Sequence, residues 1–384
     1  MKGLFSGTPA PVRVCIVLAV LITSTAGADC IAPGQWWDSR GEQIPTTALY
    51  ETLAEANVVL LGETHDRMEH HRWQLHTLAA LHARRPDMVI GLEMLPRNAQ
   101  PALDAWVQGE ISEHSFLQQS EWTRSWGFDA QLYLPILHFA RMNRIPVLAL
   151  NLDRSLIARL REEGWESVPT GERYEITPPA PATDGYRDYL GAVLANHPTG
   201  NEDGGDLDRF VAAQLIWDRA MAVGIAQAAN EGHFVVGLMG SGHLEYAHGV
   251  PHQLEDLGIT HARILLPLDV DAECTAPKPG VADALYAIAP GNLHELPRPL
   301  LLGVRIEDDP EGVRIQFVME DSVAETSGLK VGDIIIRASG LDTRLPSDLQ
   351  AVVRRQTPGN VMPLDVLRDG ENIELLARFP PLQD

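Results

Sequence analysis

The hydrophobic pattern divides the chain into two unlike parts. From 58 to about 267, unbroken apolar runs alternate with stretches of helical periodicity. Val58-Val59-Leu60-Leu61, Met88-Val89-Ile90-Gly91-Leu92 and Phe234-Val235-Val236-Gly237-Leu238-Met239 each read as a strand buried on both faces, and 146–150 reads as another. Segments 46–56, 66–85, 131–143 and 207–230 read as helices. In 66–85, Met68, Arg72, Leu75, Leu78 and Ala79 fall at helical spacing and form one packing face. Strand and helix in alternation predict an α/β domain with a mostly parallel sheet flanked by helices.

Two stretches interrupt this alternation. Short helical pieces at 101–129, rich in Trp106, Trp122, Trp126 and Phe128, predict a small helical insertion. Its aromatics read either as its own core or as an apolar wall over a cleft. Segment 164–205 holds Pro178-Pro179-Ala180-Pro181 and Asn201-Glu202-Asp203-Gly204-Gly205, and reads as a covering loop that carries Tyr174, Tyr186 and Tyr189. Beyond a Pro- and Gly-rich linker at 291–299 the pattern changes to short strands, a helix at 345–356 and an Asp369-Gly370 hairpin turn. A small β-rich domain over 300–384 follows from that.

The chemistry gathers where the strands end. Glu63 and His65 follow the first strand, Glu93 the second, and Ser241-Gly242-His243 the third. Ligands of open α/β sheets bind outside the carboxyl ends of the strands, so two carboxylates and two imidazoles converge on one rim. This set suits metal binding or acid–base chemistry. Asn151 and Asp153 end a further strand and are candidates for the same cleft. His70 and His71 start the next helix close to the rim, whereas His76 and His82 read as surface or satisfied core residues. The chain has no His-Glu-x-x-His, no Gly-x-Gly-x-x-Gly after the first strand, no phosphate-binding Gly-x-x-x-x-Gly-Lys-Ser/Thr and no Gly-x-Ser-x-Gly.

Charge narrows the partners. The chain has 384 residues, with 30 Lys plus Arg against 52 Asp plus Glu, a net charge of −22. That balance argues against nucleic acid and anionic membranes as partners. Residues 1–28 read as a cleaved signal peptide: Lys2 and Arg13 precede the apolar run 14–22, and Ala26-Gly27-Ala28 fits the cleavage site. Asp29 before Cys30 disfavours lipoprotein processing. An exported, periplasmic chain is therefore expected, not transmembrane once processed, with its α/β domain over 29–290. Cys30 and Cys274 would be free to form a disulfide in that compartment.

Several ordered motifs carry a resemblance. Gly62-Glu63-x-His65, Leu92-Glu93-Met94, Gln100-Pro101-Ala102-Leu103-Asp104, Ile145-Pro146-Val147 and Gly240-x-Gly242-His243 with Gly249-Val250-Pro251 resemble the ChaN-like haem-binding family. That family shares a superfamily with the TIKI and TraB proteins and erythromycin esterases. The resemblance implies an α/β domain serving haem-iron uptake, with homodimers able to enclose haem and tyrosine as the axial ligand. Tyr246 is the first candidate, supported by His243 or His248. Superfamily relatives also imply an alternative: a metal-dependent hydrolase with Glu63, His65, Glu93 and His243 as catalytic groups or ligands of a divalent metal. In that reading His65 is the general base or a ligand.

Residues 300–381 resemble a PDZ domain of bacterial type, through Ser327-Gly328-Leu329-Lys330-Val331-Gly332-Asp333-Ile334-Ile335 and the order of the surrounding elements. Such domains bind the C-terminal peptide of a partner protein by strand addition. Leu301-Leu302-Gly303-Val304 matches the carboxylate loop, with Leu301 in place of the usual first glycine. An adaptor acting through this groove alone is a third reading, which the convergent Glu/His rim disfavours.

Overall fold

The computed structural model describes residues 31–195, 204–270, 276–289 and 300–381. The expected signal segment, Cys30, Cys274 and the 291–299 linker lie outside the described residues. The described residues open with β1 (Trp36–Trp37) and β2 (Gln43–Ile44), then α1 (Thr46–Glu55), β3 (Val58–Glu63), α2 (Met68–His82) and β4 (Met88–Pro96). The helical insertion is α3 (Gln100–Gln108), α4 (Glu113–Gln119) and α5 (Trp122–Ser125), followed by α6 (Leu134–Asn143) and β5 (Val147–Asn151). Next come α7 (Arg154–Glu162), α8 (Asp184–Ala195), α9 (Gly204–Asn230), β6 (Phe234–Gly240), α10 (Val250–Asp256), β7 (Arg263–Asp269) and β8 (Ala284–Ile288).

These strands form one sheet in the order β2-β1-β8-β7-β3-β6-β4-β5, with β8 to β5 all parallel. The apolar runs have a direct cause here, because every residue of β3, β4 and β6 is buried. Successive residues serve opposite faces. Val59 and Leu61 pack with Leu78, Leu81 and Leu137 of α2 and α6. Val58 and Leu60 pack with Met221, Ile225 and Leu254 of α9 and α10. Burying one such aliphatic side chain contributes roughly 1.5–3 kcal/mol, so the central strands hold both layers of helix. Aromatics close the insertion: Trp106, Phe116 and Trp122 are buried, and Trp106 Nε1 donates to the Leu137 carbonyl at 3.0 Å.

Part of the expected covering loop is helical. Within 164–205, α8 buries Tyr186 and Leu190, one turn apart, against Val211 of α9. Thr183 Oγ1 accepts from the Tyr186 backbone N–H at 3.2 Å and starts the helix. The prolines before it and the Gly/Asn run after it hide this single buried stripe in the sequence.

A second, antiparallel sheet follows. Its elements are β9 (Val304–Asp309), β10 (Gly312–Val318), α11 (Val323–Thr326), β11 (Ile334–Ala338), β12 (Leu341–Asp342), α12 (Pro346–Arg354), β13 (Val361–Arg368) and β14 (Glu371–Arg378). The strand order is β14-β13-β11-β10-β9, with β12 on β11. Leu349, Val352 and Val353 of α12 close its core over Val313, Ile335 and Leu364. Its edge strands are β14 and β9.

Candidate functional site: a Glu/His rim at the strand ends

The strand order brings the sequence-predicted rim together. β6 lies between β3 and β4, with Glu63 in register with Gly240 and Leu92 with Leu238. Glu63 therefore ends β3, Glu93 lies just past that pairing in β4, and His243 follows β6 on a 3-10 turn, Ser241–His243. The β4–β5 pairing becomes irregular between Leu92 and Pro96, next to Glu93. Glu63 and Glu93 are buried. His65 Nδ1 lies 2.5 Å from Glu63 Oε1, and a ligand atom from each of Glu63, His65 and Glu93 falls within 4.8 Å of the others. Glu93 Oε2 accepts from the Gly240 backbone N–H at 2.6 Å, and its Oε1 lies 3.4 Å from His243 Nε2.

Gly240 makes this packing feasible. A Cβ there would stand 2.8 Å from His65 Cε1 and 3.7 Å from Glu93 Oε2. Its φ of −57° is open to any residue, so space is the constraint and not backbone freedom.

Helix α2 grips the β3 turn from below. Gln74 Nε2 donates to the carbonyls of Leu61 and Gly62 at 3.1 and 3.3 Å. His70 Nδ1 accepts from the Thr64 N–H at 2.9 Å, while its Nε2 lies 3.3 Å from Asp269. His71 Nε2 donates to the His65 carbonyl at 3.1 Å, and the Tyr133 hydroxyl donates to the same oxygen at 3.3 Å. His70 and His71 are thus buried props of the turn. Trp126 and Phe128 meet the His65 ring edge to face, with centroids 4.7 and 5.0 Å away. Both sequence readings of these aromatics hold in part, since Trp106 and Trp122 form the insertion core while Trp126 and Phe128 wall His65. Asn151 Nδ2 donates to the Glu93 carbonyl at 3.0 Å, whereas Asp153 caps α7 by accepting from the Leu156 N–H at 2.9 Å.

One member of this cluster escaped the sequence reading. Asp218, fully buried in the middle of α9, places Oδ1 2.6 Å from His243 Nδ1, and its Oδ2 accepts from the Tyr186 hydroxyl at 2.7 Å. The signal was the adjacent Asp218-Arg219 pair set between the apolar runs 215–217 and 220–223 of the helix. Burial pulls the His243 pKa down, but the charges of Glu93 and Asp218 outweigh it and hold it well above the usual histidine value. His65 has the same balance: burial lowers its pKa, and the hydrogen bond and charge of Glu63, with Glu93 beyond, bring the net shift upward. Burial likewise pushes Glu93 up, and His243 and His65 reverse this to leave it below its ordinary value. For His71, burial dominates and the pKa falls. Glu63 Oε2 is buried with no hydrogen-bond partner among the described residues, and lies 3.8 Å from His71 Nε2.

Tyr246 and His248 lie in the loop after this turn. Tyr246 is half-buried with φ 57°, followed by Ala247 at φ 58°, so two successive non-glycine residues are left-handed. The rings of Tyr246 and His248 are 5.7 Å apart, and His248 stacks on Tyr186 at 5.9 Å. His243 has both ring nitrogens facing carboxylates, whereas the His248 nitrogens meet no hydrogen-bonding partner among the described residues.

Residues 49–254 match the profile of the family described as haem-binding uptake, Tiki superfamily, ChaN, which takes in more than half of the chain. The chain belongs to this ChaN-like family. Residues 301–377 of this ChaN-like protein match the PDZ domain. The solved structure titled "Cofacial heme binding to ChaN of Campylobacter jejuni" has the same α/β fold, with a TM-score of 0.52 and 22% identity, over 65% of this chain and 95% of that one. Among curated proteins, a probable periplasmic serine endoprotease DegP-like of Pseudomonas savastanoi is 34% identical over 77 residues. The magnetosome formation protease MamE of Paramagnetospirillum magneticum is 37% identical over 68 residues. The ChaN-like chain spans 16% and 9% of the lengths of these two proteases. No helix among the described residues is long and apolar enough to cross a membrane.

In the PDZ domain, Leu301-Leu302-Gly303 leads into the edge strand β9, which starts at Val304. Gly303 has φ 82°, and a Cβ there would stand 2.3 Å from Ser322 Cβ. Leu302 is buried and Leu301 is 71% exposed. Met319 N–H donates to the Gly303 carbonyl at 2.9 Å, which ties the loop to the end of β10.

Proposed function

We propose that this chain is an exported haem-binding protein of the ChaN type, acting in haem-iron uptake, with a PDZ module that captures the C-terminal peptide of a partner. Membership of the ChaN-like family carries the reading. The donor set is compatible with it: Tyr246 offers a phenolic oxygen and His248 an uncommitted imidazole in one short loop, and both are haem ligand types. Strained left-handed backbone at Tyr246 and Ala247 adds support, because such strain concentrates at ligand sites. His243, the other expected supporter, would have to leave Asp218 or Glu93 to reach iron. By analogy with the cofacial haem of the Campylobacter protein, two copies of this chain would pair. Bound haem would supply the iron cargo, and the chain would supply its axial donors. The periplasm is the compartment we propose, from the DegP-like relatives of the PDZ segment and the signal-like N-terminus.

The test is a hemin titration of the mature chain followed by absorbance. A saturable Soret shift that weakens in Tyr246→Phe supports the reading, and no saturable shift in the wild type rejects it.

A specific observation favours a second reading, a divalent cation held by Glu63, His65 and Glu93. Their donor atoms converge within 4.8 Å, and Glu63 Oε2 accepts no hydrogen bond among the described residues. A cation bound there would supply Lewis acidity for hydrolysis, with His243 held nearby as a charged group between Glu93 and Asp218. Elemental analysis of the purified chain distinguishes the two readings, since the cation would be lost in His65→Ala while haem binding through Tyr246 would persist.

A further inference from the structure

A cavity of about 320 Å³ lies between the α4–α5 segment of the α/β domain and α12 of the PDZ domain. Its walls are largely apolar: Leu117, Trp122 and Phe128 on one side, Leu341, Leu345 and Val352 on the other. Leu345, a lining residue, is 49% exposed. No residue of 301–304 or of β9 lines the cavity, which sets it apart from the strand-addition groove.

The rim is basic in an acidic protein. Arg124, Arg344, Arg354 and Arg355 line it with His114, against the carboxylates of Glu121, Asp129 and Asp348. Asp348 is committed to the backbone, its Oδ2 accepting from Arg344 N–H and Leu345 N–H at 3.0 Å each. Asp129 Oδ1 accepts from Gln131 N–H at 2.9 Å. Glu121 faces Arg124 at 3.3 Å, and Arg355 reaches Glu113 at 2.9 Å across the domain boundary. Arg354 has no ion-pair partner among the described residues, and Arg344 has only Asp342 at 3.8 Å. Two guanidinium groups are therefore available to an incoming anion.

We propose that this interdomain cavity binds a small organic carboxylate with an apolar body, its tail against Phe128, Leu117 and Leu345 and its carboxylate on Arg344 or Arg354. The volume is at the lower end of the range for small-molecule sites. A guanidinium matches a carboxylate with two parallel hydrogen bonds. At a net charge of −22, long-range attraction for an anion is absent, and physiological salt screens beyond about 8 Å. Recognition must then come from these contacts at short range. The cavity also shares a wall with the Glu/His rim, because Phe128 lines it and meets His65.

The experiment is isothermal titration calorimetry of the mature full chain with sodium decanoate, with 1-decanol and sodium butyrate as controls. We expect saturable binding of decanoate, weaker binding of decanol, and none of butyrate. Arg344→Gln/Arg354→Gln should lower decanoate affinity at least tenfold and leave decanol unchanged. Leu345→Asp should weaken both. Circular dichroism melting shows that each variant is folded. No saturable decanoate binding, or equal affinity in the double arginine variant, overturns the proposal. Displacement of decanoate by hemin or by a peptide with an apolar C-terminus also overturns it, because the anion would then occupy the haem site or the PDZ groove.

Discussion

Asp218 and His243 form a buried pair, with Oδ1 and Nδ1 2.6 Å apart, contributed by the middle of α9 and by the turn after β6. The pair ties the helical layer to the rim. Asp218 also receives the Tyr186 hydroxyl, so α8 is fastened at the same point. Removing one partner of such a pair leaves a buried charge uncompensated, at a cost of about 3–5 kcal/mol. Asp218→Ala should therefore lower the denaturation midpoint strongly, and Asp218→Asn, which keeps an acceptor, should lower it less. Urea unfolding followed by circular dichroism checks this.

The same pair predicts a pH dependence. His243 has a folded pKa raised above its unfolded value. Its contribution is fully present below the unfolded pKa, about 6.5, and is lost as pH rises through the raised folded value. Thermal stability should thus decline between neutral and alkaline pH, and Asp218→Asn should flatten that slope. Melting temperatures measured from pH 6 to 10 test it. A wild-type curve parallel to the variant's would refute it.

Gly240→Ala is expected to damage the site more than the fold. The added methyl would meet the His65 ring at 2.8 Å, forcing the imidazole away from Glu63. Overpacking of this kind costs about 1–3 kcal/mol. Secondary structure by circular dichroism should be retained, while any cation bound at Glu63, His65 and Glu93 should be lost by elemental analysis.

At Gly303 two constraints coincide, a φ of 82° and the closeness of Ser322. Gly303→Val should therefore displace the loop before β9 and abolish capture of C-terminal peptides, with the α/β domain unaffected. Fluorescence anisotropy of a labelled peptide library, read on full-length chains, is the measurement. Equal binding by wild type and variant would remove this loop as the carboxylate site.

Much of the architecture was legible in the chain because its cause is local. Strands buried on both faces must be apolar throughout, so β3, β4 and β6 announced themselves, and the residues that follow them had to lie at one sheet edge. Glu63, His65, Glu93 and His243 were found this way, and the order of short motifs pointed to the ChaN-like and PDZ families. The tertiary structure alone decided which groups pair. Asp218 reaches His243 across 25 positions and Glu93 meets Gly240 across 147, and such contacts leave no periodic trace. The grip of His70, His71 and Gln74 on the β3 turn, and the buried stripe of α8 inside a Pro- and Gly-flanked segment, were hidden for the same reason. So was the cavity between α5 and α12, because its two walls come from separate domains. Hydrophobic periodicity records what each element buries, whereas pairing and cavity shape depend on how the elements finally pack.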